Sequence, residues 1–219
     1  MTPEAVVYVV DDDEAVRRSL ARLIRSVGLA VETFPSAKAF LEHPLPDRPS
    51  CLVLDLRLPG PSGLDLQTVL GEAQRTLPII FITGHGSVPT SVRAMKAGAL
   101  DFLQKPFNDQ DLLNAVHRGL TRSRAAWAEG TERAALQRRV DLLTARERQV
   151  LTLVVTGRLN KQIAAELGAA EKTIKVHRGR VMKKMQAESV ADLVRMAEKV
   201  DLGETHQTKA QSSDTATGR

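Results

Sequence analysis

The chain has 219 residues, 42% of them hydrophobic and only 3% aromatic, with one cysteine and a formal net charge of +5. That length holds two small domains whose cores must be packed mainly by aliphatic side chains. The lone Cys51 excludes an intrachain disulfide and fits a cytoplasmic protein, and no apolar run is long enough to span a bilayer. The apolar start of the chain is short and ends in three aspartates, which excludes a signal peptide.

In chain order, short apolar runs at 6–10, 31–34, 51–54, 79–83 and 102–103 read as five strands. The runs at 51 and 79 are almost wholly apolar, as expected of strands buried on both faces. Between them lie amphipathic helical patterns at 14–27, 36–41, 62–75 and 87–97, and a fifth helix starts near Asp109. Strands alternating with helices predict an α/β fold, a doubly wound five-stranded parallel sheet. Such sheets bind ligands at the carboxyl ends of their strands, near a topological switch point.

Residues 122–140 are rich in Ala, Arg, Glu and Gln, and read as a solvated helical linker. From Asp141 onward the pattern is all helix. Thr144 followed by Glu147 is a capping-box signature that opens a helix ending at Gly157. Further helices are predicted at 160–167, ending at Gly168, then at 171–185 and 190–200. The segment 203–219 is polar with almost no apolar anchor and reads as a disordered tail. The expected division is therefore 1–121, a linker 122–140, an all-α four-helix domain 141–201, and a tail 202–219.

Charge is split unevenly. Residues up to Arg124 carry 14 acids and 14 bases, whereas the remainder carries 12 acids and 17 bases. A basic excess confined to one domain suggests an anionic partner such as nucleic acid.

Five residues fall at the ends of predicted strands. Asp11 and Asp12 follow the first, Asp55 ends the third, Thr83 ends the fourth, and Lys105 follows the fifth and precedes Pro106. In a parallel sheet these positions converge on one edge. Three carboxylates brought together there repel one another and call for a hard cation on oxygen ligands, with Mg²⁺ the best fit. Acids after strands are often helix N-caps, which suits Asp13 before Glu14. It does not suit Asp55, which starts no helix.

The segments VVDDDE at 9–14, LVLDLRLPGPSGLDL at 52–66, FITGHGSVPTSVRAMKAGALDFL at 81–103 and QKPF at 104–107 resemble the receiver domain of two-component response regulators. The resemblance implies that Asp55 is the phosphoacceptor, and that Asp11, Asp12, Asp55 and the backbone carbonyl of Arg57 hold Mg²⁺. It implies that Thr83 and Lys105 contact the phosphoryl group and that Phe102 is the switch aromatic. Aspartate-nucleophile phosphohydrolases carry a second aspartate two residues after the first, where this chain has Arg57. A dinucleotide fingerprint needs a third glycine where this chain has Pro89, so His85 reads as a surface loop residue.

The helix predicted at 171–185 carries Lys172, Lys175, Arg178, Arg180, Lys183 and Lys184 against one acid, Glu171. Its apolar Ile174, Val181 and Met185 share one face, leaving a basic face whose width suits the major groove of DNA. The string LTARERQVLTLVVTGRLNKQIAAELGAAEKTIKVHRGRVMKKM at 143–185, followed by SVADLVRMA at 189–197, resembles the helix-turn-helix domain of LuxR-type regulators. The FixJ-like branch joins that domain to a receiver. The resemblance implies that Lys175, Val176 and Gly179 approach base edges, with Lys172, Thr173, His177, Arg180 and Lys183 near backbone or bases. Two departures stand out: Gly179 inside the recognition helix, and Ala170 where a serine often caps it.

Together these readings predict a transcription regulator and not an enzyme. The resemblance implies a sensor histidine kinase, promoter DNA and RNA polymerase as partners, and a homodimer formed on phosphorylation. The competing readings are a phosphotransfer or phosphohydrolase enzyme with an incidental basic tail, and a constitutive DNA binder with a vestigial receiver.

Overall fold

The computed structural model describes residues 4–45, 47–73, 77–84 and 88–202. Arg75 as a helix end, His85 and Gly86 as loop, Ser87 as a helix start and the tail from Gly203 all lie outside the described residues. The chain divides into two compact units, Met1–Ala128 and Glu129–Arg219. The division falls inside the segment read as a linker.

The first unit is a five-stranded parallel sheet of β1 (Val6–Val10), β2 (Ala30–Phe34), β3 (Ser50–Asp55), β4 (Ile79–Thr83) and β5 (Asp101–Gln104), in the order β2-β1-β3-β4-β5. Its helices are α1 (Glu14–Ser26), α2 (Ala37–Leu41), α3 (Gly63–Glu72), α4 (Val88–Lys96) and the start of α5 (Asp109–Asp141). Successive strand residues point to opposite faces. Val6, Tyr8, Val10, Leu52, Leu54 and Phe81 pack in one cluster with Phe40 of α2, Leu66 and Leu70 of α3, and Ala94 of α4. Val7, Val9, Cys51, Val53, Ile80 and Ile82 pack in the other with Leu20 and Ile24 of α1 and Leu112, Val116 and Leu120 of α5. Burial pushes the Cys51 thiol up to about 12, which makes it an inert core residue.

Strand order reverses direction between β1 and β3, so their carboxyl ends flank the switch point, where a ligand crevice is expected. α1 starts there because Asp13 caps it, accepting from the backbone N–H groups of Ala15 at 2.7 Å and Val16 at 3.3 Å. α3 starts directly against the end of β3 because Gly63 allows it. A Cβ at Gly63 would lie 2.5 Å from the Asp55 carbonyl oxygen.

The second unit contains the end of α5, then α6 (Ala145–Val155), α7 (Asn160–Glu166), α8 (Glu171–Met185) and α9 (Val190–Glu198). The Thr144–Glu147 capping box is present in both directions: Glu147 N–H donates to Thr144 Oγ1 at 3.2 Å, and Thr144 N–H to Glu147 Oε2 at 2.9 Å. Gly157 and Gly168, at φ +81° and +61°, close α6 and α7 as expected. Ile163, Ile174, Val181, Met185, Val150 and Leu151 form the core. Leu136 and Val140, from the stretch read as a solvated helical linker, belong to that same core. Among the described residues no helix is long and apolar enough to cross a membrane.

Candidate functional sites

The carboxylate cluster forms as the order of strands demands. Among the described residues, Asp11, Asp12 and Asp55 place carboxylate oxygens within 4.8 Å of one another. Asp11 is 1% exposed and Asp55 is buried, while Asp12 lies open to solvent. Lys105 Nζ donates to Asp11 Oδ2 at 2.7 Å and to Asp55 Oδ2 at 2.8 Å. The Lys105–Pro106 bond is cis, and Lys105 N–H donates to the Thr83 carbonyl at 2.7 Å, which fixes the lysine beside β4. Thr83 is fully buried. Arg57 N–H donates to Asp55 Oδ1 at 2.9 Å, and Asp13 N–H to Asp11 Oδ1 at 2.9 Å. Phe102 is half-buried, its ring centroid 6.4 Å from that of Phe81.

Burial holds the Asp11 carboxyl above the usual carboxylate range, against the opposing pull of Lys105. Burial would depress the Lys105 ammonium, but its bonds to Asp11 and Asp55 outweigh that and hold it above the usual lysine value. One ammonium among three carboxylates leaves the cluster formally negative. The donor set is all hard oxygen, which fits a small divalent cation such as Mg²⁺. One member escaped the sequence reading. Arg17 Nη1 donates to the carbonyls of Asp11 at 2.7 Å and Asp12 at 2.9 Å, pinning the acidic turn. Only its place in the first turns of the helix after the aspartates could have suggested this.

The second site is the exposed face of α8. Of its six cations, two are committed inside the unit. Arg178 Nη1 donates to Asn160 Oδ1 at 3.0 Å, tying α8 to α7. Lys184 Nζ donates to Glu147 Oε2 at 2.6 Å and to the Leu142 carbonyl at 3.1 Å. From α5, Arg139 Nη1 reaches the Met185 carbonyl at 3.0 Å. The basic face is thus narrower than composition suggested. Lys172, Lys175, Arg180 and Lys183 remain exposed, beside Thr173, Val176 and Gly179. His177 is half-buried, with Nδ1 covered and lacking a hydrogen-bond partner among the described residues. Ala170 stands at the N-cap of α8 without a side-chain bond, as its side chain requires.

Glu147 is 2% exposed, and its charge is sustained by Lys184 first and the Thr144 N–H second, which hold its carboxyl below the usual range. A depressed folded value means that ionised Glu147 stabilises the fold above the unfolded value of about 4.3, and that this contribution is lost as pH falls through the folded one. The Tm gap between wild type and Glu147→Gln is therefore expected to be constant near neutrality and to shrink as pH falls below about 4. Thermal melts from pH 7 to 3 check this, and a gap that widens in acid would contradict it.

Comparison with known proteins assigns a family to each half of the chain. Residues 7–117 match the family described as response regulator receiver domain, and residues 141–197 match bacterial regulatory proteins of the luxR family. The chain is 53% identical over 208 residues to Nodulation protein W of Bradyrhizobium diazoefficiens, covering 95% of this chain and 92% of the relative. It is 46% identical over 191 residues to the transcriptional regulatory protein FixJ of Rhizobium meliloti, covering 87% and 94%. Among solved structures, the response regulator StyR superposes with a TM-score of 0.82 at 49% identity, covering 90% of this chain and 100% of that one.

Proposed function

The chain belongs to the two-component response regulators that join a receiver to a LuxR-type DNA-binding domain, and from that premise we propose that it acts in the cytoplasm and that Asp55 is the acceptor whose phosphorylation by a sensor histidine kinase controls promoter binding. The observation that carries this reading is Lys105, whose ammonium is shared by Asp11 and Asp55 at 2.7 and 2.8 Å. It sits where a phosphoryl group on Asp55 would place its oxygens.

In the proposed transfer, an Asp55 carboxylate oxygen attacks phosphorus. The new O–P bond forms as the donor's N–P bond breaks, and the histidine nitrogen leaves with the electron pair. Asp11, Asp12, Asp55 and the Arg57 carbonyl would hold Mg²⁺, which when bound offsets the charge gathered on the phosphoryl oxygens. Lys105 moves its donor bond from Asp55 to a phosphoryl oxygen, and the Thr83 hydroxyl donates to another. The acyl phosphate brings about −1.5 to −2 charge units to the site in place of one carboxylate. Thr83, drawn toward the phosphoryl group, would vacate space for Phe102 to turn inward, reshaping the face of α4 and β5.

That face carries an apolar row. Val88, Val92 and Met95 of α4 are exposed at i, i+4 and i+7, so one side of the helix lacks apolar cover. A second copy of this chain is the proposed cover. Dimerisation would present two α8 helices to half-sites about 34 Å apart. Lys172, Lys175, Arg180 and Lys183 would contact phosphates and bases, and the bound dimer would meet RNA polymerase and activate transcription. The same reading makes the chain a switch and not a turnover enzyme.

Light scattering of the full chain with Mg²⁺ is expected to show a monomer that becomes a dimer when beryllofluoride is added. Gel shifts of promoter DNA are expected to weaken steeply with salt, as counterion release requires. An unchanged mass with the mimic bound would refute dimerisation as the control.

A further inference from the structure

Gly179 lies in the interior of α8, where glycine is the least favourable residue after proline. Nothing inside the fold asks for it. Its φ is not positive, and a Cβ built there meets no atom within 4 Å. Gly63, by contrast, is demanded by the backbone behind it. Gly71 of α3 and Gly130 of α5 share the open surroundings of Gly179.

Gly179 alone of the three stands on the exposed basic face of α8. Ile174, Val181 and Met185 mark the side packed into the core. At 100° per residue, the line directly opposite runs through Lys172, Val176, Gly179 and Lys183. The two ends are cations about 16 Å apart along the axis, far enough to reach phosphates on either rim of a major groove about 12 Å wide. The middle is different: Val176 is 48% exposed and Gly179 offers bare backbone. Neither supplies a side-chain donor or acceptor to the part of the helix that would sit deepest. Of the groups that base pairs show in the major groove, one suits an apolar seat, the C5 methyl of thymine.

Resting on the DNA-binding reading above, we propose that Val176 and Gly179 form a specificity-determining seat for a thymine methyl. The missing side chain at Gly179 lets the helix backbone close on the base pair by the thickness of a methyl group. Lys172 and Lys183 hold the two ends. Sequence preference at the centre of each half-site is then set by contact area, and its flanks by the cations.

The test uses the full chain, with and without beryllofluoride and Mg²⁺. DNA that it prefers is first selected from a random pool, and each thymine is then replaced by deoxyuridine, which removes only the methyl. The expected result is a thymine in each half-site whose replacement weakens wild-type binding several-fold. Val176→Ala should lose most of that sensitivity. Gly179→Ala and Gly179→Leu should melt higher than wild type yet bind the selected DNA progressively more weakly. A Gly179→Ala protein with wild-type affinity, or a wild type indifferent to every thymine methyl, overturns the seat while DNA binding stands. A pool that returns no preferred sequence under either condition overturns the DNA reading itself, and the seat with it.

Discussion

Asparagine in place of Asp55 is expected to abolish phosphoryl incorporation from a small acyl-phosphate donor, and with it any change of mass on adding beryllofluoride. The amide keeps an oxygen for the Arg57 N–H that now reaches Asp55 Oδ1 at 2.9 Å. It cannot form the O–P bond, because its oxygen lacks the carboxylate's charge and its nitrogen is not a nucleophile. The fold should survive, since one negative charge leaves a crowded group of three acids. Phosphate-affinity gels would read incorporation, and circular dichroism would confirm folding. Wild-type incorporation in Asp55→Asn would place the acceptor elsewhere.

Methionine in place of Lys105 acts on stability. The lysine is the only cation paired with the carboxylates of Asp11 and Asp55 among the described residues, and both acids are buried. Removing one partner of a buried ion pair costs about 3–5 kcal/mol. Part of Lys105 is exposed, so roughly 2–4 kcal/mol is expected in EDTA, a fall in Tm on the order of 5–15 °C. Mg²⁺ should recover more stability in the variant than in the wild type, because there the metal does alone what it otherwise shares with the ammonium. Melting both proteins with EDTA and with Mg²⁺ measures this. Equal metal responses would mean that the acids do not share one cation site.

Much of the receiver was legible because its three central strands, β1, β3 and β4, are buried on both faces and read as nearly unbroken apolar runs. Val6–Val10 and Ile79–Thr83 were placed to the residue. β5 was read too short because Asp101 and Gln104, at the edge of the sheet, are polar. The five strand-end residues were found because parallel topology carries distant positions to one edge. Pairing was harder to read. Sequence shows that α8 has six cations, but it does not show that Arg178 finds Asn160 or that Lys184 finds Glu147. Such bonds depend on where separate helices cross. Leu136 and Val140 were hidden for a related reason: two apolar residues four apart are a faint stripe in a stretch rich in Arg, Glu, Gln and Ala.

Those two residues bear on how such proteins exchange parts. A gene recombined at residue 141, where the likeness to LuxR-type domains begins, would carry its DNA-reading half away without Leu136, Val140 and Arg139, which seal that half from beneath. A junction between Ala128 and Ala134, where every residue is exposed, separates the halves without cutting either core. Chimaeras joined in that stretch inherit a matched interior, and those joined later inherit a mosaic. A recombinant that is to keep both interiors whole is thereby confined to one short seam.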